Sequence, residues 1–378
     1  MPSILLVTND FGPRAGGIET FVIGLLERVP KGEVVVYTSS QPSSEEYDQR
    51  WMRDFGVEVI RDRAKILLPT PLVITRLQRI IRQRNIATVW FGAAAPLAFS
   101  ARWLRRAGAG HIVALTHGHE VWWSKVWPFS WFMREIAKNV DVATYLGEFT
   151  RSAMLSRFKD TSKLIKIAPG IDTEHFVPSV SHDLRAMHGI SDRPTLISVG
   201  RLVHRKGQDR LVEAMPQILK EVPNATLVFI GEGPHRKVLD ALVSKLDLHE
   251  SVKFIGRIQY SELPRYISMG DVFAMPSRSR LFGLEVEGLG IVYLEASACG
   301  LPVIGGASGG APDAVQHGIT GYVVDGNNVQ EIAARTIELL QDSELRARMG
   351  KSGRQWVVDE WRWQIWSEKF NKTLKISN

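Results

Sequence analysis

The sequence predicts an α/β protein built from two successive parallel sheets. Short apolar runs typical of buried strands alternate with helical patterns along the chain, and this alternation indicates parallel strand pairing. It pauses at a polar connector and restarts with a new strand at 195–199. Polar or glycine-rich turns follow the first strand of each half, where doubly wound folds bind ligands. We therefore expect a domain over residues 1–172 joined by a C-terminal helix at 360–378, a linker at 173–189, and a second domain over 190–359.

Composition favours an ordinary globular protein of two or three domains. The 378 residues are 44% hydrophobic and 23% charged. The single cysteine, Cys299, excludes an internal disulfide and favours a reducing, cytoplasmic setting. The apolar start is only about five residues long, too short for a signal peptide, and no run approaches the roughly 20 apolar residues of a membrane span.

The net charge of +7 is concentrated in the first half of the chain. Residues 1–180 contain 23 basic and 17 acidic residues, whereas the remainder is nearly balanced. Residues 63–119 contain nine basic residues and no acidic one. This asymmetry predicts an anionic partner, which could be a nucleic acid, an anionic membrane or a phosphorylated substrate.

The first half opens as a strand, a glycine loop and a helix. An apolar run at 3–8 precedes Gly16 and Gly17, and a helical pattern with Ile18, Phe21 and Val22 follows. The two glycines could admit a ligand at the start of the helix, although a plain tight turn explains them equally well. Further strands are expected in apolar runs at 34–38, 57–60, 88–91, 112–115 and 140–145.

A helix predicted at 72–84 carries Arg76, Arg79 and Arg82 at every third position, opposite apolar Leu77 and Ile81. One interpretation is a solvated surface helix. Because the surrounding sequence contains no acid, a helix lying against anionic lipid headgroups is an equally good interpretation.

The segment 116–138 combines two histidines with many aromatic residues. His117 and His119 follow a strand, where α/β folds place ligand-binding groups, but no further cluster supports a metal site. Tryptophan suits a membrane–water interface as well as a core, and we favour a lipid-facing surface over core packing here. The tryptophans of this segment are Trp122, Trp123, Trp127 and Trp131.

The second half contains several loops that could hold a nucleotide. After a strand near 164–168 and the connector, residues 200–207 place Arg201 and Lys206 at the carboxyl end of a strand, where they could neutralise a diphosphate or form a basic surface loop. The sequence at 231–236 begins like a dinucleotide fingerprint, but Arg236 replaces its third glycine and weakens a nicotinamide site. A loop ending at Ile258 could wrap a base. The strands expected around these loops lie at 225–230, 252–255 and 272–275.

Residues 282–300 carry two glutamates separated by seven residues. Gly290 is a good helix entrance, so Glu287 is expected in a loop and Glu295 about a turn and a half inside the helix. Helix amides suit a diphosphate, and the carboxylates could accept hydrogen bonds from sugar and ribose hydroxyls. A solvated helix face is the alternative for such a glutamate pair. Strands at 301–304 and 321–324, a glycine loop at 305–313 and an aromatic, basic helix at 360–376 complete the pattern.

Four motifs taken together resemble the retaining glycosyltransferases of the glycogen-synthase-like superfamily, which have the GT-B fold of two facing Rossmann-like domains. These are GGIE at 16–19, GRLVHRKG at 200–207, the glutamate pair at 287 and 295, and GGAPD at 309–313. More narrowly, TNDFGPRAGGIE, VWFGAAAPLA, THGHEV and FGLEVEGLGIVYLEA resemble the actinobacterial mannosyltransferases that extend phosphatidylinositol monomannoside with GDP-mannose. The resemblance covers essentially the whole chain.

The resemblance implies a role for each matching residue. Gly16 and Gly17 would approach the donor, Arg201 and Lys206 would bind its diphosphate, and His117 would contact the transferred sugar near the acceptor. Glu287 would bind mannose hydroxyls, Glu295 the ribose, and Ile258 the guanine through its backbone, while amides near Gly290 and Ile291 would complete the diphosphate site. No cofactor or metal would be required. The acceptor would be a phosphatidylinositol mannoside at the cytoplasmic face of an anionic membrane, which would receive its second mannose at the inositol 6-position. The acceptor and membrane contacts would be Arg76, Arg79, Arg82, Trp122, Trp123 and Trp127.

Three positions depart from the family pattern, and three other functions compete with it. Leu281 and Phe282 stand where glycines are expected, and Asp313 where glutamate is usual. A related transferase could use UDP- or ADP-glucose with a soluble acceptor. A nucleic-acid-binding protein would fit the pI near 9.5, but a reader motif is lacking, so we expect no nucleic-acid partner. A nicotinamide oxidoreductase is disfavoured by Arg236.

Overall fold

The computed structural model describes residues 3–376 except positions 15, 119 and 284. The chain divides into two compact units, with boundaries after Gly170 and after Arg362, so that the C-terminal helix belongs to the first unit. Among the described residues, no helix is both long enough and apolar enough to cross a membrane.

The first unit contains a seven-stranded sheet in the order β3-β2-β1-β4-β5-β6-β7, and all its pairs are parallel. Helices follow most of the strands, as a parallel sheet requires. The strands are β1 (Ile4–Thr8), β2 (Val34–Thr38), β3 (Glu58–Arg61), β4 (Thr88–Phe91), β5 (His111–Ala114), β6 (Val142–Tyr145) and β7 (Leu164–Lys166). The helices are α1 (Gly17–Leu26), α2 (Glu45–Phe55), α3 (Pro71–Arg84), α4 (Ala101–Arg106), α5 (Glu120–Lys125), α6 (Phe129–Asn139) and α7 (Glu148–Leu155).

The second unit repeats the pattern with a six-stranded parallel sheet in the order β10-β9-β8-β11-β12-β13. Its strands are β8 (Thr195–Val199), β9 (Thr226–Ile230), β10 (Val252–Gly256), β11 (Val272–Met275), β12 (Val303–Gly306) and β13 (Gly321–Val324). Its helices are α8 (His182–Met187), α9 (Gln208–Glu221), α10 (Arg236–Lys245), α11 (Leu263–Ile267), α12 (Ile291–Ala298), α13 (Val329–Gln341) and α14 (Ser343–Glu360). The prediction of two Rossmann-like parallel sheets is confirmed.

Each unit has its own core, formed where helices cover the sheet. Every residue of β1, β2, β8 and β9 is buried, which explains why these strands are continuous apolar runs rather than alternating ones. Helices of the first unit contribute Leu77, Leu104 and Met133 to its core, and α9 contributes Leu211 and Met215 to the other.

The last helix, α15 (Trp363–Thr373), packs on the first unit. A side chain on Gly24 would meet the Trp363 ring at 2.4 Å, so glycine is required for the close approach of α1 and α15. His111 Nε2 lies 2.8 Å from the carbonyl oxygen of Thr373, and the Phe370 ring packs on Trp90 with centroids 4.8 Å apart. The predicted tail helix therefore exists, but it begins at Trp363, and the buried Trp361 lies at the end of α14.

The connector differs from a free linker. Residues 173–189 belong to the second unit and include α8. Arg354 of α14 donates hydrogen bonds to the carbonyl oxygens of Thr173 and Phe176, which fixes the start of this segment. Its polar composition reflects exposure and not the absence of structure.

Candidate functional site

The loops that carry the predicted donor-binding residues lie at the carboxyl ends of β8, β11 and β12. In the second sheet the strand order reverses between β8 and β11, and open α/β sheets bind ligands at such a reversal. The loop after β8 contains Arg201 and Lys206, the loop after β11 leads to Glu287, and the glycine-rich loop follows β12. The fold of the second unit thus brings together three motifs that are separated by about 100 residues of sequence.

Lys206 and Glu287 form a buried ion pair at the centre of this site. Lys206 Nζ lies 2.9 Å from a carboxylate oxygen of Glu287, and the two residues are 9% and 8% exposed. A short 3-10 turn, His204–Lys206, holds the lysine and ends at Gly207 with φ of +74°. A side chain on Gly207 would approach the Pro276 carbonyl oxygen to 2.0 Å. The positive φ and this close approach both require glycine at the position.

Arg205 also forms an ion pair with the Glu287 carboxylate. One of its terminal nitrogens lies 2.8 Å from the Glu287 oxygen that Lys206 also contacts, and its Nε lies 3.6 Å from Glu285. Burial alone would raise the pKa of Glu287, but the charges of Lys206 and Arg205 hold that pKa below its usual value. Glu287 is therefore an ionised carboxylate with two cations, suited to accept hydrogen bonds from hydroxyl groups.

Glu295 lies inside α12, as predicted, with the helix entered at Gly290. Gly290 has φ of +81° and a side chain there would strike the Tyr293 ring at 2.3 Å, so only glycine fits this entrance. The Tyr293 hydroxyl donates to the carbonyl oxygen of Met275 at 2.7 Å and fixes the helix to the end of β11. The first amides of α12, at Ile291 and Val292, have no carbonyl partner within the helix and form an end that attracts anions.

The charge of Lys206 lowers the pKa of both glutamates. Burial raises the pKa of Glu295 to about 7, and the Lys206 charge partly opposes that increase. The two members of the glutamate pair thus have opposite character. The neighbouring cations favour the charged form of Glu287, whereas burial favours the neutral form of Glu295.

The raised pKa of Glu295 gives a testable dependence of stability on pH. A carboxyl whose folded pKa exceeds its unfolded value stabilises the fold fully at pH below about 4.5 and loses that contribution as the pH rises through 7, a change of about 3 kcal/mol. We expect Glu295→Gln to remove this pH-dependent contribution to stability, because glutamine does not titrate. Thermal unfolding from pH 5 to 8 should show the melting temperature of the wild type falling by several degrees relative to the variant, and parallel curves would contradict the assignment.

The glycine-rich loop after β12 serves as packing for the Glu287 loop. The Gly310 amide donates to the Glu287 carbonyl oxygen at 2.9 Å. Side chains on Gly309 and Gly310 would approach the carbonyl oxygens of Glu287 and Gly288 to 2.2 Å and 2.1 Å. These glycines let the loop lie directly on the backbone that presents Glu287.

Gly310→Ala tests this packing without adding backbone strain. Gly310 has φ of −86°, a conformation that alanine adopts readily. We expect a loss of about 1–3 kcal/mol of stability and weaker nucleotide binding, since the added methyl group must displace the Glu287 loop. Gly110→Ala is the control, because its new atom would lie 3.7 Å from the nearest carbonyl oxygen. Equal melting temperatures and nucleotide affinities for the two variants would contradict this role.

Arg201 is free to bind a ligand. Its side chain is exposed and forms no hydrogen bond or ion pair with any described residue, while its carbonyl oxygen accepts a hydrogen bond from Gln208 at 3.2 Å. By contrast, Arg278 is 3% exposed and pairs with Asp209 at 2.7 Å, and it also contacts the His204 ring. Arg278 therefore braces the turn that holds Lys206.

Ile258 lines a pocket at the carboxyl edge of the second sheet. The pocket has a volume of about 230 Å³ at the carboxyl ends of β8, β9 and β10, and its lining includes Gly200, Gly231, Arg257, Ile258 and Tyr260. The glycines at 231 and 233 have a structural reason, since side chains there would meet the backbone carbonyl oxygens of Gly200 and Leu202 at 2.1 Å and 2.2 Å. Close backbone packing therefore explains the glycines at 231 and 233, and no nicotinamide site is needed to explain them.

The residues predicted in the first unit are placed as follows. Gly17 begins α1, and a side chain there would meet nothing within 4 Å, whereas a side chain on Gly16 would collide with the carboxylate of Glu19. His117 is 9% exposed, and its Nε2 lies 2.6 Å from the Gly92 carbonyl oxygen, so Nε2 carries the proton. His119 lies outside the described residues. No group of three or more potential metal ligands occurs in the described parts of the chain.

Two arginines of α3 pair with acidic residues, although the sequence around this helix contains no acid. Arg76 pairs with the buried Asp62, and Arg84 makes a two-point contact with Glu58, because strand β3 lies beside α3 in the fold. Both acids precede the acid-free segment, so linear spacing did not reveal them. Arg79 and Arg82 are exposed and form no ion pair with a described residue.

The tryptophans of the 116–138 segment divide into two groups. Trp122 and Trp123 are partly buried and each packs on Phe129 with centroids 4.8 Å apart. Trp127 is 81% exposed and Trp131 48% exposed. The aromatic surface is therefore carried mainly by the latter pair, of which only Trp127 was among the predicted lipid contacts.

Sequence reasoning missed several residues of the site. Arg205 and Glu285 belong to motifs noted in the sequence, but Arg205 contacts both Glu285 and Glu287 across about 80 residues of chain. Arg278 belongs to the PSRSR sequence at 276–280, where two exposed-looking arginines gave no sign that one is buried. Tyr293 stands among apolar residues in the sequence, and only the fold shows that its hydroxyl contacts the end of β11.

Comparison with known proteins identifies related chains for both halves. The family model described as Glycosyltransferase Family 4 matches residues 15–175, and that described as Glycosyl transferases group 1 matches residues 181–356. A protein of Mycolicibacterium smegmatis named GDP-mannose-dependent alpha-(1-6)-phosphatidylinositol monomannoside mannosyltransferase is 45% identical over 96% of this chain and 95% of its own. A Corynebacterium glutamicum protein with the same name for the monoacylated acceptor is 42% identical over 98% of this chain and 97% of its own.

Solved structures show the same fold at low sequence identity. HepE of Anabaena, solved with UDP, has a TM-score of 0.83 and 18% identity, covering 99% of this chain and all of that one. Sucrose-phosphate synthase of Thermosynechococcus elongatus has a TM-score of 0.80 and 22% identity, covering 99% of this chain and 98% of that one.

Proposed function

Because the chain belongs to the GT-B glycosyltransferases, in the family of phosphatidylinositol monomannoside mannosyltransferases, we propose that it transfers mannose from GDP-mannose to a phosphatidylinositol mannoside. The observation that carries the proposal is the near full-length identity to these relatives. The product would carry the new mannose in an α-(1-6) linkage, with the configuration of the donor retained.

The donor would be bound by the loops of the second unit. The exposed Arg201 and the buried Lys206 supply positive charge, and the first amides of α12 add the helix dipole, so a diphosphate is matched by three sources of positive potential. Glu287 would accept hydrogen bonds from mannose hydroxyls and Glu295 from the ribose. The pocket beside Ile258 would take the guanine.

The reaction would proceed by departure of GDP and capture of the sugar on the same face. The bond between the anomeric carbon and the diphosphate oxygen breaks, and the electron pair leaves with GDP, whose charge Arg201 and Lys206 stabilise. The acceptor hydroxyl attacks from the leaving-group side, gives its proton to the departing phosphate, and so retains the configuration. His117, held in one tautomer by Gly92, would orient the sugar.

Metal independence and membrane association are finer parts of the proposal. Arg201 and Lys206 would supply the charge that a divalent cation provides elsewhere, so activity should survive excess chelator. We also propose that the protein acts as a peripheral protein at the cytoplasmic face, with Arg79, Arg82 and Trp127 supporting contact with an anionic bilayer.

A calorimetric titration with GDP and with UDP tests the donor assignment. GDP should bind at least tenfold more tightly than UDP, in wild type and in an Arg79→Gln variant alike. Preference for UDP would keep the fold and the diphosphate site but overturn the mannosyl donor. Failure of both nucleotides to bind would overturn the site itself.

A further inference from the structure

A second basic pocket lies in the first unit, beside the C-terminal half of α6. Its volume is about 180 Å³, and five of its eight lining residues are basic while one, Asp160, is acidic. The basic residues are Arg134, Lys138, Arg157, Lys159 and Lys163. None of them belongs to the site described above.

Two of these cations already have partners. Lys163 Nζ donates to the carbonyl oxygens of Val140 at 2.9 Å and Ala137 at 3.3 Å, which caps the negative end of α6. Lys138 pairs with Glu135 at 2.6 Å. Asp160 accepts hydrogen bonds from the backbone and hydroxyl of Ser162, so its carboxylate is committed to that turn.

The other three cations, Arg134, Arg157 and Lys159, form no ion pair with any residue the structure describes. The Nε atom of Arg157 is buried and makes no hydrogen bond within the described residues. A phosphate in the pocket would meet three cationic side chains whose charge no described acid neutralises. The pocket therefore has the chemistry of a phosphate site.

The surface around the pocket favours a lipid headgroup as the source of the phosphate. Trp131, Arg134 and Lys138 are spaced three and four residues apart, so they share one face of α6. Trp131 is 48% exposed, and just before the helix Val126 and Trp127 are 38% and 81% exposed. Exposed tryptophan next to arginine and lysine is the composition of a membrane–water interface.

We propose that this pocket binds the phosphate of an anionic phospholipid headgroup while Trp127 and Trp131 enter the bilayer interface. Arg134, Arg157 and Lys159 contact the phosphate, and the buried Phe158 forms part of the floor. The inference rests on the proposed function, because a lipid acceptor is reached only at a bilayer surface. It places a lipid contact on α6 in addition to α3.

Vesicle sedimentation tests this site with the full-length protein. Binding to phosphatidylcholine vesicles containing 30 mol% phosphatidylglycerol should weaken about tenfold or more in the double variant Arg134→Gln/Lys159→Gln, since each cation near an anionic surface contributes substantially. Both residues are exposed, so the fold should survive, which the melting temperature verifies. The control Lys220→Gln/Lys245→Gln removes the same charge from exposed helix positions of the second unit and should change binding less than twofold.

Three results would overturn the proposal. Equal weakening in both double variants would show a general effect of net charge. Inorganic phosphate binding is measured by calorimetry on the same proteins. If vesicle binding and phosphate binding are both unchanged in the α6 variant, the pocket is no anion site. If vesicle binding is unchanged but phosphate binding is lost, the pocket binds a free anion and not a lipid. GDP affinity, measured on the same proteins, should stay unchanged. Absence of GDP binding in wild type would instead count against the proposed function.

Discussion

Replacing Lys206 by methionine should lower kcat for mannosyl transfer by about 10²–10³-fold, the typical loss on removal of one preorganised group that stabilises developing charge. Lys206 is buried and 2.9 Å from Glu287, so its ammonium group is fixed before the donor arrives. Because the diphosphate gains charge as it leaves, the lysine should matter more in the transition state than in the ground state.

The size of the loss is checked by measuring kcat and KM with GDP-mannose. Lys220→Met is the matched control, because it removes an exposed lysine of α9 in the same unit. A kcat for Lys206→Met within about threefold of wild type would contradict leaving-group stabilisation by this residue. A raised KM with unchanged kcat would assign Lys206 to ground-state binding alone.

Glu287→Gln should reduce both activity and stability. The glutamine cannot neutralise Lys206 and Arg205, and breaking a buried ion pair by removing one partner costs about 3 kcal/mol. Loss of a charged acceptor for sugar hydroxyls should also lower kcat/KM by about tenfold or more.

Glu285→Gln is a close control for this effect. Glu285 also contacts Arg205, at 3.6 Å, but its side chain is 36% exposed and it does not touch Lys206. Thermal unfolding and donor kinetics should therefore show a much smaller change. Equal losses in the two variants would mean that the Arg205 network as a whole, and not the Glu287 carboxylate, sets activity.

Much of the fold could be predicted from local sequence. Each strand that the structure describes in the two sheets coincides with a predicted apolar run. The central strands β1, β2, β8 and β9 give the clearest signal, because they are buried along their whole length. The start of α12 at Gly290 was also predicted, since a glycine at that position allows the left-handed entrance that the helix requires.

Contacts between distant segments could not be predicted in this way. Arg76 of α3 meets Asp62, which directly follows β3, and Arg205 meets Glu287 because β8 and β11 are adjacent. Neither pair has a signature in spacing along the chain. Burial of Arg278 and the exposure of Trp127 depend likewise on tertiary packing.

One departure from the family pattern has a visible structural consequence. Leu281, which stands where a glycine was expected, has φ of +49° and is 61% exposed. A leucine in this left-handed conformation is strained by about 1 kcal/mol. Position 281 therefore has the left-handed backbone conformation that glycine favours, although the residue there is leucine.

The most direct test of the central claim is transfer of labelled mannose from GDP-mannose to phosphatidylinositol monomannoside in vesicles by the purified protein. The proposed function predicts a dimannosylated lipid that an α-mannosidase can trim, formed in the presence of excess chelator and abolished or strongly reduced in Lys206→Met. Transfer from a UDP-sugar but not from GDP-mannose, or labelling of a soluble acceptor in place of the lipid, would contradict it.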